Sequence, residues 1–370
     1  MDKLCSKNLC SGCAACQAVC KHRAIKMAED VYGFSYPIIE ETKCKNCGAC
    51  TKACPQMNAQ QGVTPFTSYA CHAIDPITRE ESSSGGFATL LAKYFIKNGG
   101  IVYGCAFVPP MGFRHIKCET IKDADKLRGS KYVQSHVHDV YPSIKNDIKQ
   151  QKKVLFIGTP CQVAGVKSVF GKYNDLFVVD LVCHGVPSVK FLCDTLPVDV
   201  RNCDKTQVEF RASTKFHFSV KSGISLIYDR PIEKDIFFKG FFTGVLFRPS
   251  CFSCKYAQKE RISDITIGDF WRLKSNKITD TSKGVSLVLV NNEKGRTLFY
   301  QVKSCMTVDE RPLEEAFNGN EQLNHPFRRG VREHLFKWLY PYMGLKKSLW
   351  IVMPDRLLGT KVKTLINKIK

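Results

Sequence analysis

The sequence predicts a chain that combines the α+β and α/β classes. A small cysteine-rich N-terminal domain, residues 1–60, is followed by a larger mixed α/β domain, residues 66–330. Two cysteine runs of identical spacing predict the first domain. The polar stretch QMNAQQGVTP at residues 56–65 contains Gly and Pro and is typical of a linker. After it, short apolar runs alternate with helical patterns, which predicts a sheet with at least some parallel pairing.

The N-terminal domain is dominated by the spacing C-x2-C-x2-C-x3-C, which occurs twice and is followed the second time by Pro55. This is the bacterial ferredoxin pattern for two [4Fe–4S] clusters, in which each cluster takes three thiolates from one run and the fourth from the other. Zinc sites instead use two close pairs with a longer gap between them. A disulfide framework would need an export signal, and none is visible at the start of the sequence. We therefore assign one cluster to a first set, Cys10, Cys13, Cys16 and Cys54, and the other to a second set, Cys44, Cys47, Cys50 and Cys20.

The charge balance is strongly basic, with a formal net charge of +21. Each [4Fe–4S] cluster with four thiolates carries about −2, so three clusters would leave roughly +15. A basic protein favours acidic partners: a ferredoxin-like donor, a phosphate-bearing cofactor, an anionic substrate or an anionic membrane surface. Nothing in the sequence resembles a nucleic-acid reader, so nucleic acid is not an expected partner. No apolar run approaches the ~20 residues of a membrane span. We therefore expect a cytoplasmic protein, whose only membrane contact would be peripheral, at the inner face.

The larger domain contains three apolar runs that predict strands buried on both faces, at residues 101–107, 154–158 and 177–182. Helical patterns follow the second and third runs, after the sequences GTPC and CHGVPS. Residues 205–247 are rich in strand formers but irregular. Residues 262–270 and 284–291 predict further strands.

Four more cysteines lie in loops that border these elements. Cys161 follows one predicted strand, Cys183 follows the next, and Cys251 and Cys254 form a C-x2-C pair. Functional loops of α/β sheets lie at the carboxyl ends of strands, so these four thiols, here called the third set, could ligate a third [4Fe–4S] cluster. The alternative for Cys161 and Cys183 is that they are small buried core residues. The remaining cysteines are isolated, and we interpret them as structural.

Two other stretches are candidates for a cofactor site. The small residues SSSGG at 82–86 precede a helical run, and bare backbone N–H groups at a helix start can bind a flavin phosphate. An ordinary Ser N-cap is the alternative. The sequence GDFW at residues 268–271 follows a predicted strand. Its acid, Asp269, and two aromatic residues could line a flat ring system, or could be core packing beside a solvated carboxylate.

Together these stretches resemble the coenzyme F420 hydrogenase/dehydrogenase beta-subunit family, in a form with an N-terminal two-cluster ferredoxin module. The matching stretches, in order, are SSSGGFATLLA (82–92), GGIVYGCAF (99–107), LRGSKYVQS (127–135), IGTPCQVAGV (157–166), DLVCHGVPS (180–188), FRPSCFSCKYA (247–257) and RISDITIGDFW (261–271). Two departures stand out: Lys21 follows Cys20 where many ferredoxin runs have Pro, and Arg272 follows Trp271 where relatives often have Gly.

The resemblance implies that the larger domain binds FAD. Its implied flavin contacts are Ser83, Ser84, Gly85, Gly86, Lys131, Tyr132 and Gln134, with Asp269 as a further candidate. It also implies that the third set ligates a cluster next to the flavin. The implied function is an oxidoreductase that passes electrons between ferredoxin-type clusters and an organic acceptor or donor through FAD. The substrate would be of deazaflavin type or another conjugated ring, and some relatives look like parts of surface-polysaccharide pathways.

Two alternatives stay open at the level of sequence. The chain could be an electron-transfer subunit that feeds a partner enzyme without a substrate site of its own, or a scaffold whose clusters are structural. For both the oxidoreductase and the electron-transfer subunit, the expected redox partner is a ferredoxin or another oxidoreductase subunit. The sequence leaves the direction of electron flow, the use of coenzyme F420 and the oligomeric state undetermined.

The C-terminal residues 331–370 predict a basic helical tail. They hold nine Lys or Arg against Glu333 and Asp355, and apolar residues recur at helical spacing from Leu357 to Ile369. This pattern is typical of an amphipathic helix that contacts an anionic membrane surface or an acidic partner. A helix docked on the body, with its lysines in solvent, is the alternative.

Overall fold

The N-terminal segment forms two short helices on either side of a β-hairpin. The computed structural model of the chain describes residues 4–197, 201, 203–211 and 216–357. Helix α1 (Ala15–Val19) and helix α2 (Ala49–Ala53) each start just before the third cysteine of a run and end at the fourth, which is the C-cap residue. Strands β1 (Ile25–Glu29) and β2 (Ser35–Ile39) pair antiparallel between them. The repeated cysteine spacing therefore corresponds to a repeated turn-and-helix unit.

The larger domain is built on an eight-stranded mixed sheet with strand order β13-β3-β12-β11-β7-β6-β4-β5. Strands β4, β6, β7 and β11 are parallel to one another, and the strands outside them pair antiparallel. The parallel pairing expected from the sequence is thus confirmed. The strand bounds are β3 (Thr67–Ala73), β4 (Ile101–Val108), β5 (Gly112–Cys118), β6 (Val154–Gly158), β7 (Leu176–Leu181), β11 (Ile265–Asp269), β12 (Ser286–Val290) and β13 (Met306–Arg311).

Helices cover both faces of this sheet, because its central strands are apolar on both sides. In β6, Leu155 faces one hydrophobic core while Val154 and Phe156 face another. The first core also receives apolar residues from α4 and α10, and the second from α6 and α7. The helices of this domain are α3 (Pro76–Glu80), α4 (Phe87–Lys97), α5 (Ile121–Asp125), α6 (Tyr141–Lys149), α7 (Pro160–Phe170), α8 (Val189–Cys193), α9 (Ile236–Phe242), α10 (Glu293–Lys303) and α11 (Leu313–Gly319).

A second, three-stranded sheet and an aromatic core lie beside the main sheet. Its strands are β8 (Thr206–Glu209), β9 (His217–Ser222) and β10 (Ser225–Pro231), in the region that the sequence marks as irregular and strand-rich. Their core contains Phe210, Phe218 and Phe237, and it also contains Phe34 and Tyr36 from the N-terminal hairpin. The N-terminal segment, which the sequence marks as a small domain of its own, is therefore packed against the body of the protein.

The stretch predicted as a linker, residues 56–65, is tied to the larger domain at three points. The Gln60 side chain donates to the Ala164 carbonyl at 2.8 Å. Val63 forms a β-bridge with Arg261, and Lys255 donates to the Gln56 carbonyl at 2.7 Å. The polar composition of this stretch predicts a linker, and these contacts are not visible in the composition because they join residues far apart in the sequence.

Helix α12 (Val331–Val352), interrupted at Gly344, packs on the aromatic core and is followed by α13 (Pro354–Leu357). Phe336, Tyr340 and Leu349 of α12 are buried there. The part of the predicted amphipathic tail beyond Leu357 lies outside the described residues. Within the described part of the chain, no helix combines the length and the apolarity that a membrane span requires.

Candidate electron-transfer and cofactor site

The two cysteine runs have the same backbone conformation. Gly12 and Ala14 in the first run have positive φ angles, and so do Asn46 and Gly48, which occupy the equivalent positions in the second run. Left-handed residues between the cysteines curl the chain tightly, and at each pair of equivalent positions one residue is Gly, which adopts this conformation without strain. Such a curl turns three successive cysteine side chains toward one side, as a cluster loop requires.

The first set of thiols lies together and is mostly buried. Cys10, Cys13 and Cys54 are buried, and Cys16 is half-buried. Burial, together with the neighbouring charges of Cys10 and Cys54, raises the pKa of the Cys13 thiol to about 12. Cys54, from the second run, therefore lies among the thiols of the first run, in agreement with the assignment made from spacing. Their role as iron ligands stays a prediction.

Cys5, interpreted from the sequence as a structural residue, also lies in this group. Its thiol is within hydrogen-bonding reach of both Cys10 and Cys54 and holds the pKa of each below its usual value. Its position five residues before the first run gave no spacing signal, which is why the sequence did not reveal it.

The second set lies nearer to the protein surface. Cys20, Cys44 and Cys50 are half-buried and Cys47 is exposed. Exposed lysines accompany it in the sequence: Lys43, Lys45 and Lys52. A cluster held by this set would be the one closest to solvent.

The third set is brought together at the carboxyl edge of the parallel strands. Cys161 lies in the first turn of α7, whose start is fixed by Pro160 and by a capping box between Thr159 and Gln162. Cys183 follows β7, which pairs in parallel with β6. The loop after Cys183 approaches the Cys251–Cys254 segment so closely that a Cβ on Gly185 would lie 2.4 Å from the Phe247 ring.

All four thiols of the third set line one cavity, which holds about 620 Å³ of empty space including its open mouth. Burial raises the pKa of all four, to about 12 for Cys251 and about 11 for Cys254. Among the described residues, no three His, Cys, Asp or Glu side chains converge tightly enough to hold a single metal ion. Four thiols spread around a cavity suit a cubane, which offers each thiolate its own iron.

The first and third sets meet through α7. At Gly165, one turn after Cys161, an added Cβ would lie 2.9 Å from the Cβ and 3.1 Å from the Sγ of Cys13. The Tyr141 hydroxyl donates to the Cys13 carbonyl at 2.9 Å. Ser11, in the same loop as Cys13, also lines the cavity of the third set. The loop of the first run therefore lies directly against the helix that carries Cys161.

The SSSGG loop has a packing role that the sequence did not reveal. A Cβ on Gly85 would lie 2.1 Å from the Cys71 carbonyl oxygen and 2.6 Å from the Ser286 nitrogen, so Gly85 is required by the approach of two strands. Gly86, with φ of 91°, is the N-cap residue of α4 and leaves the helix start without a side-chain cap. Ser83 accepts a hydrogen bond from the Ser130 nitrogen at 2.7 Å. The Ser84 hydroxyl is buried and has no partner among the described residues.

The segment that contains Lys131, Tyr132 and Gln134 runs from the SSSGG loop to the first cysteine run. The Lys131 ammonium donates to two backbone carbonyls at 2.7 Å, and burial lowers its pKa to about 8. The Tyr132 ring packs edge-on against three phenylalanine rings. The Gln134 amide donates to the Ser11 carbonyl at 3.0 Å and accepts from Arg248 at 2.8 Å. Gln134 therefore lies beside the first set, and both ends of its amide are engaged there.

Asp269 lies at the end of β11, on the same sheet edge as the third set. Its carboxylate forms a 2.5 Å ion pair with Arg211, which the sequence did not single out. The Arg211 guanidinium lies over the rings of Phe216 and Trp271, at 4.6 and 5.8 Å. Asp269 is thus neither a freely solvated carboxylate nor a core residue. Together with Arg211 and the two aromatic rings it forms a cluster of charged and aromatic side chains beside the cavity edge.

Two parts of the chain match described families. Residues 9–58 match the 4Fe-4S dicluster domain, and residues 151–316 match the C terminus of the coenzyme F420 hydrogenase/dehydrogenase beta subunit. The first match contains both cysteine runs, and the second contains all four cysteines of the third set.

The chain is similar to two proteins of Methanocaldococcus jannaschii. A coenzyme F420-dependent sulfite reductase is 21% identical over 94% of this chain, and the chain spans 55% of the length of that protein. An uncharacterized protein is 25% identical over 84% of this chain and 91% of its own length. Among solved structures, a chain of the F420-reducing [NiFe] hydrogenase complex from Methanosarcina barkeri aligns with a TM-score of 0.45 and 19% identity, over 81% of this chain and 95% of that chain.

Proposed function

We propose that this chain, a member of the coenzyme F420 hydrogenase/dehydrogenase beta-subunit family, is an FAD- and iron–sulfur-dependent oxidoreductase. A 4Fe-4S dicluster domain precedes the family's C-terminal region in the chain. The protein would pass electrons between ferredoxin-type clusters and an organic acceptor or donor. The observation that carries this proposal is the third set: four thiols from three separate segments line one cavity, and the first cysteine run packs against the helix of Cys161.

The three cysteine sets would form a series of clusters with the first set in the middle. The second set includes the exposed Cys47, the first set is mostly buried, and the third set lies half-buried at the sheet edge, against the first. When bound, the clusters would supply single electrons, and a flavin would exchange electron pairs as hydride with an organic molecule. The protein's own contribution is to hold these groups in order and to exclude water from the buried sets.

FAD is supported by features of the loop at residues 82–86. The start of α4 has no side-chain cap, so its backbone N–H groups can donate hydrogen bonds to a phosphate. The buried Ser84 hydroxyl has no partner in the described structure, and buried polar groups normally have one. Ser83, Ser84 and Gly86 would hold the phosphates, while Gly85 serves the packing described above. Lys131, Tyr132 and Asp269 are the candidates for the flavin ring.

The name of the sulfite reductase relative favours a deazaflavin as the organic partner of that protein, and we propose the same substrate class here. Arg211, held by Asp269 and flanked by two aromatic rings, would suit a planar, anionic molecule of this kind.

Anaerobic reconstitution with iron and flavin analysis tests the proposal. We expect ~12 irons per chain, since each cubane holds about four. A Cys251→Ser/Cys254→Ser variant should lose about four of them. Cys305→Ser is the matched control, because Cys305 is exposed and isolated, and it should keep its full iron content. Full iron in the double variant would remove the third cluster from the proposal, and wild type that binds no FAD would remove the flavin.

The second candidate function is an electron-transfer subunit without its own substrate site. It is favoured by the exposure of Cys47, because a cluster held by the second set would be open to a partner enzyme. Reduction of a soluble deazaflavin or quinone-type acceptor by the purified chain alone would exclude it. Activity that appears only after addition of a partner enzyme would favour it.

We propose that the redox partner docks at the second set. Cys47 is exposed there, and the exposed lysines near it make the surface positively charged, which suits a small acidic ferredoxin. A ferredoxin whose acidic residues are neutralised should reduce the chain more slowly, and the difference should disappear at high salt. Equal rates at low salt would contradict this docking site.

We also propose peripheral contact with an anionic membrane through α12. One stripe of this helix, opposite its buried face, exposes Val331 (83%), Leu335 (39%), Trp338 (66%) and Tyr342 (82%). The exposed charges on and beside the helix are mainly basic: Arg328, Arg332, Lys346, Lys347 and Arg356. Aromatic residues flanked by cations are typical of helices that lie at a membrane interface.

A further inference from the structure

Arg248 is a buried cation placed between two cysteine sets. Its side chain is 1% exposed. The guanidinium donates to the carbonyls of Cys10 and Ser35, at 2.7 and 2.9 Å, and to the Gln134 amide oxygen at 2.8 Å. It also lies over the Tyr36 ring at 4.2 Å. Every one of these partners is electrically neutral.

No carboxylate in the described part of the chain lies within ion-pair distance of Arg248. The other deeply buried arginine, Arg261, does have one: it pairs with Asp180 at 2.7 Å. A buried cation without a compensating charge is costly, because hydrogen bonds to neutral groups replace only part of the lost hydration. The surroundings of Arg248 therefore call for a negative charge that is not supplied by a carboxylate.

Arg248 contacts one residue of each of these sets, with its guanidinium toward the first set and its backbone toward the third. Arg248 donates to the carbonyl of Cys10, a residue of the first set. The Cys251 nitrogen of the third set donates to the Arg248 carbonyl at 3.0 Å.

We propose that Arg248 is the counter-charge shared by the first-set and third-set clusters, and that it raises the reduction potential of both. The inference rests on the proposed function, since it requires both clusters. Reduction adds one electron to a cluster, whose charge with its four thiolates goes from about −2 to −3, and no bond or proton is exchanged. A fixed cation nearby stabilises the more negative form, so it favours reduction. Arg248 is thus a positioning residue that tunes the proposed clusters.

The test is an anaerobic redox titration followed by electron paramagnetic resonance, with the Cys251→Ser/Cys254→Ser variant used to assign the third-set signal. In Arg248→Gln both clusters should become harder to reduce, by about tenfold in the reduced-to-oxidised ratio at a fixed potential, which is ~59 mV for one electron. Arg248→Lys, which keeps the charge, should restore most of this shift. Unmoved potentials in an Arg248→Gln protein with full iron would overturn the proposal.

A second pair of variants keeps the test informative if Arg248→Gln fails to assemble. Gln134→Glu places a carboxylate against Arg248 with almost no change in shape, while Gln134→Met removes the hydrogen bond without adding charge. We expect both potentials to fall in Gln134→Glu and to stay near wild type in Gln134→Met. Equal potentials in the two variants would refute a role for the charge. Wild type with only ~8 irons would instead refute the third cluster, and with it the shared role of Arg248.

Discussion

The contact between α7 and the loop of Cys13 makes Gly165→Ala an informative substitution. A glycine in the interior of a helix is normally a weak point, and alanine there should stabilise the protein by ~1 kcal/mol. Here the added Cβ would lie 2.8 Å from the Tyr141 hydroxyl and 2.9 Å from the Cβ of Cys13. Both neighbours are buried and cannot swing into solvent, so one of them must be displaced.

The expected cost exceeds the gain from helix propensity. Overpacking of a buried site costs about 1–3 kcal/mol, and loss of the hydrogen bond from Tyr141 to Cys13 costs ~1 kcal/mol. We therefore expect a net loss of about 1–3 kcal/mol, with easier release of iron from the first set.

Anaerobic guanidinium titration with iron release measured in the same samples provides the assay. Gly330→Ala is the control, because an added Cβ there meets nothing within 4 Å, and its midpoint should be close to that of wild type. The reasoning is refuted if Gly165→Ala is more stable than wild type by the amount that helix propensity alone supplies.

Three further predictions follow from other parts of the structure. Asp180→Asn leaves the buried Arg261 without its carboxylate and should destabilise the protein by about 3–5 kcal/mol; a change in unfolding free energy below ~1 kcal/mol would contradict a buried pair. Burial lowers the pKa of His115 to about 4, so the folded state resists a proton that the unfolded chain takes up below its ordinary pKa near 6.5. Stability should therefore fall by about 2 kcal/mol between pH 7 and pH 5 through this group, and His115→Phe should lose that part of the pH dependence, whereas an identical pH profile in the variant would show that His115 is not responsible. The Trp338→Ser/Tyr342→Ser variant should co-sediment less than wild type with phosphatidylglycerol vesicles, with phosphatidylcholine vesicles as the uncharged reference. Ile224→Ser, at an exposed apolar residue elsewhere, should bind like wild type. Equal binding by all three proteins, or binding only to a partner protein, would remove the membrane proposal.

The elements that sequence predicted well are those whose signals are local. The buried strands β4, β6 and β7 lie where continuous apolar runs placed them, because a strand covered on both faces has no polar alternation to obscure it. The grouping of Cys54 with the first run followed from spacing alone. The convergence of Cys161 and Cys183 followed from the rule that parallel strands end at one edge of the sheet.

What sequence could not supply was the set of long-range polar contacts. The sequence does not single out Arg248 or Arg211, because nothing in their neighbouring residues shows that Cys10 and Asp269 are their partners. The side chain of Gln134, expected near the flavin, instead reaches Ser11. The sequence around Gly85 predicts a phosphate-binding loop, but the close approach of two strand backbones already requires a residue without a side chain there. A signal for Arg248 did exist: it stands three residues before Cys251, in a position to share that loop's surroundings.

The most direct test of the central claim is to follow the flavin and the clusters separately while reduced ferredoxin is supplied anaerobically. In wild type, both the cluster and the flavin absorbance should bleach. In the Cys251→Ser/Cys254→Ser variant, loaded with FAD, the ferredoxin-type clusters should still be reduced, but the flavin should be reduced far more slowly. Flavin reduction at the wild-type rate in that variant would contradict the claim that the third set connects the dicluster domain to the organic substrate.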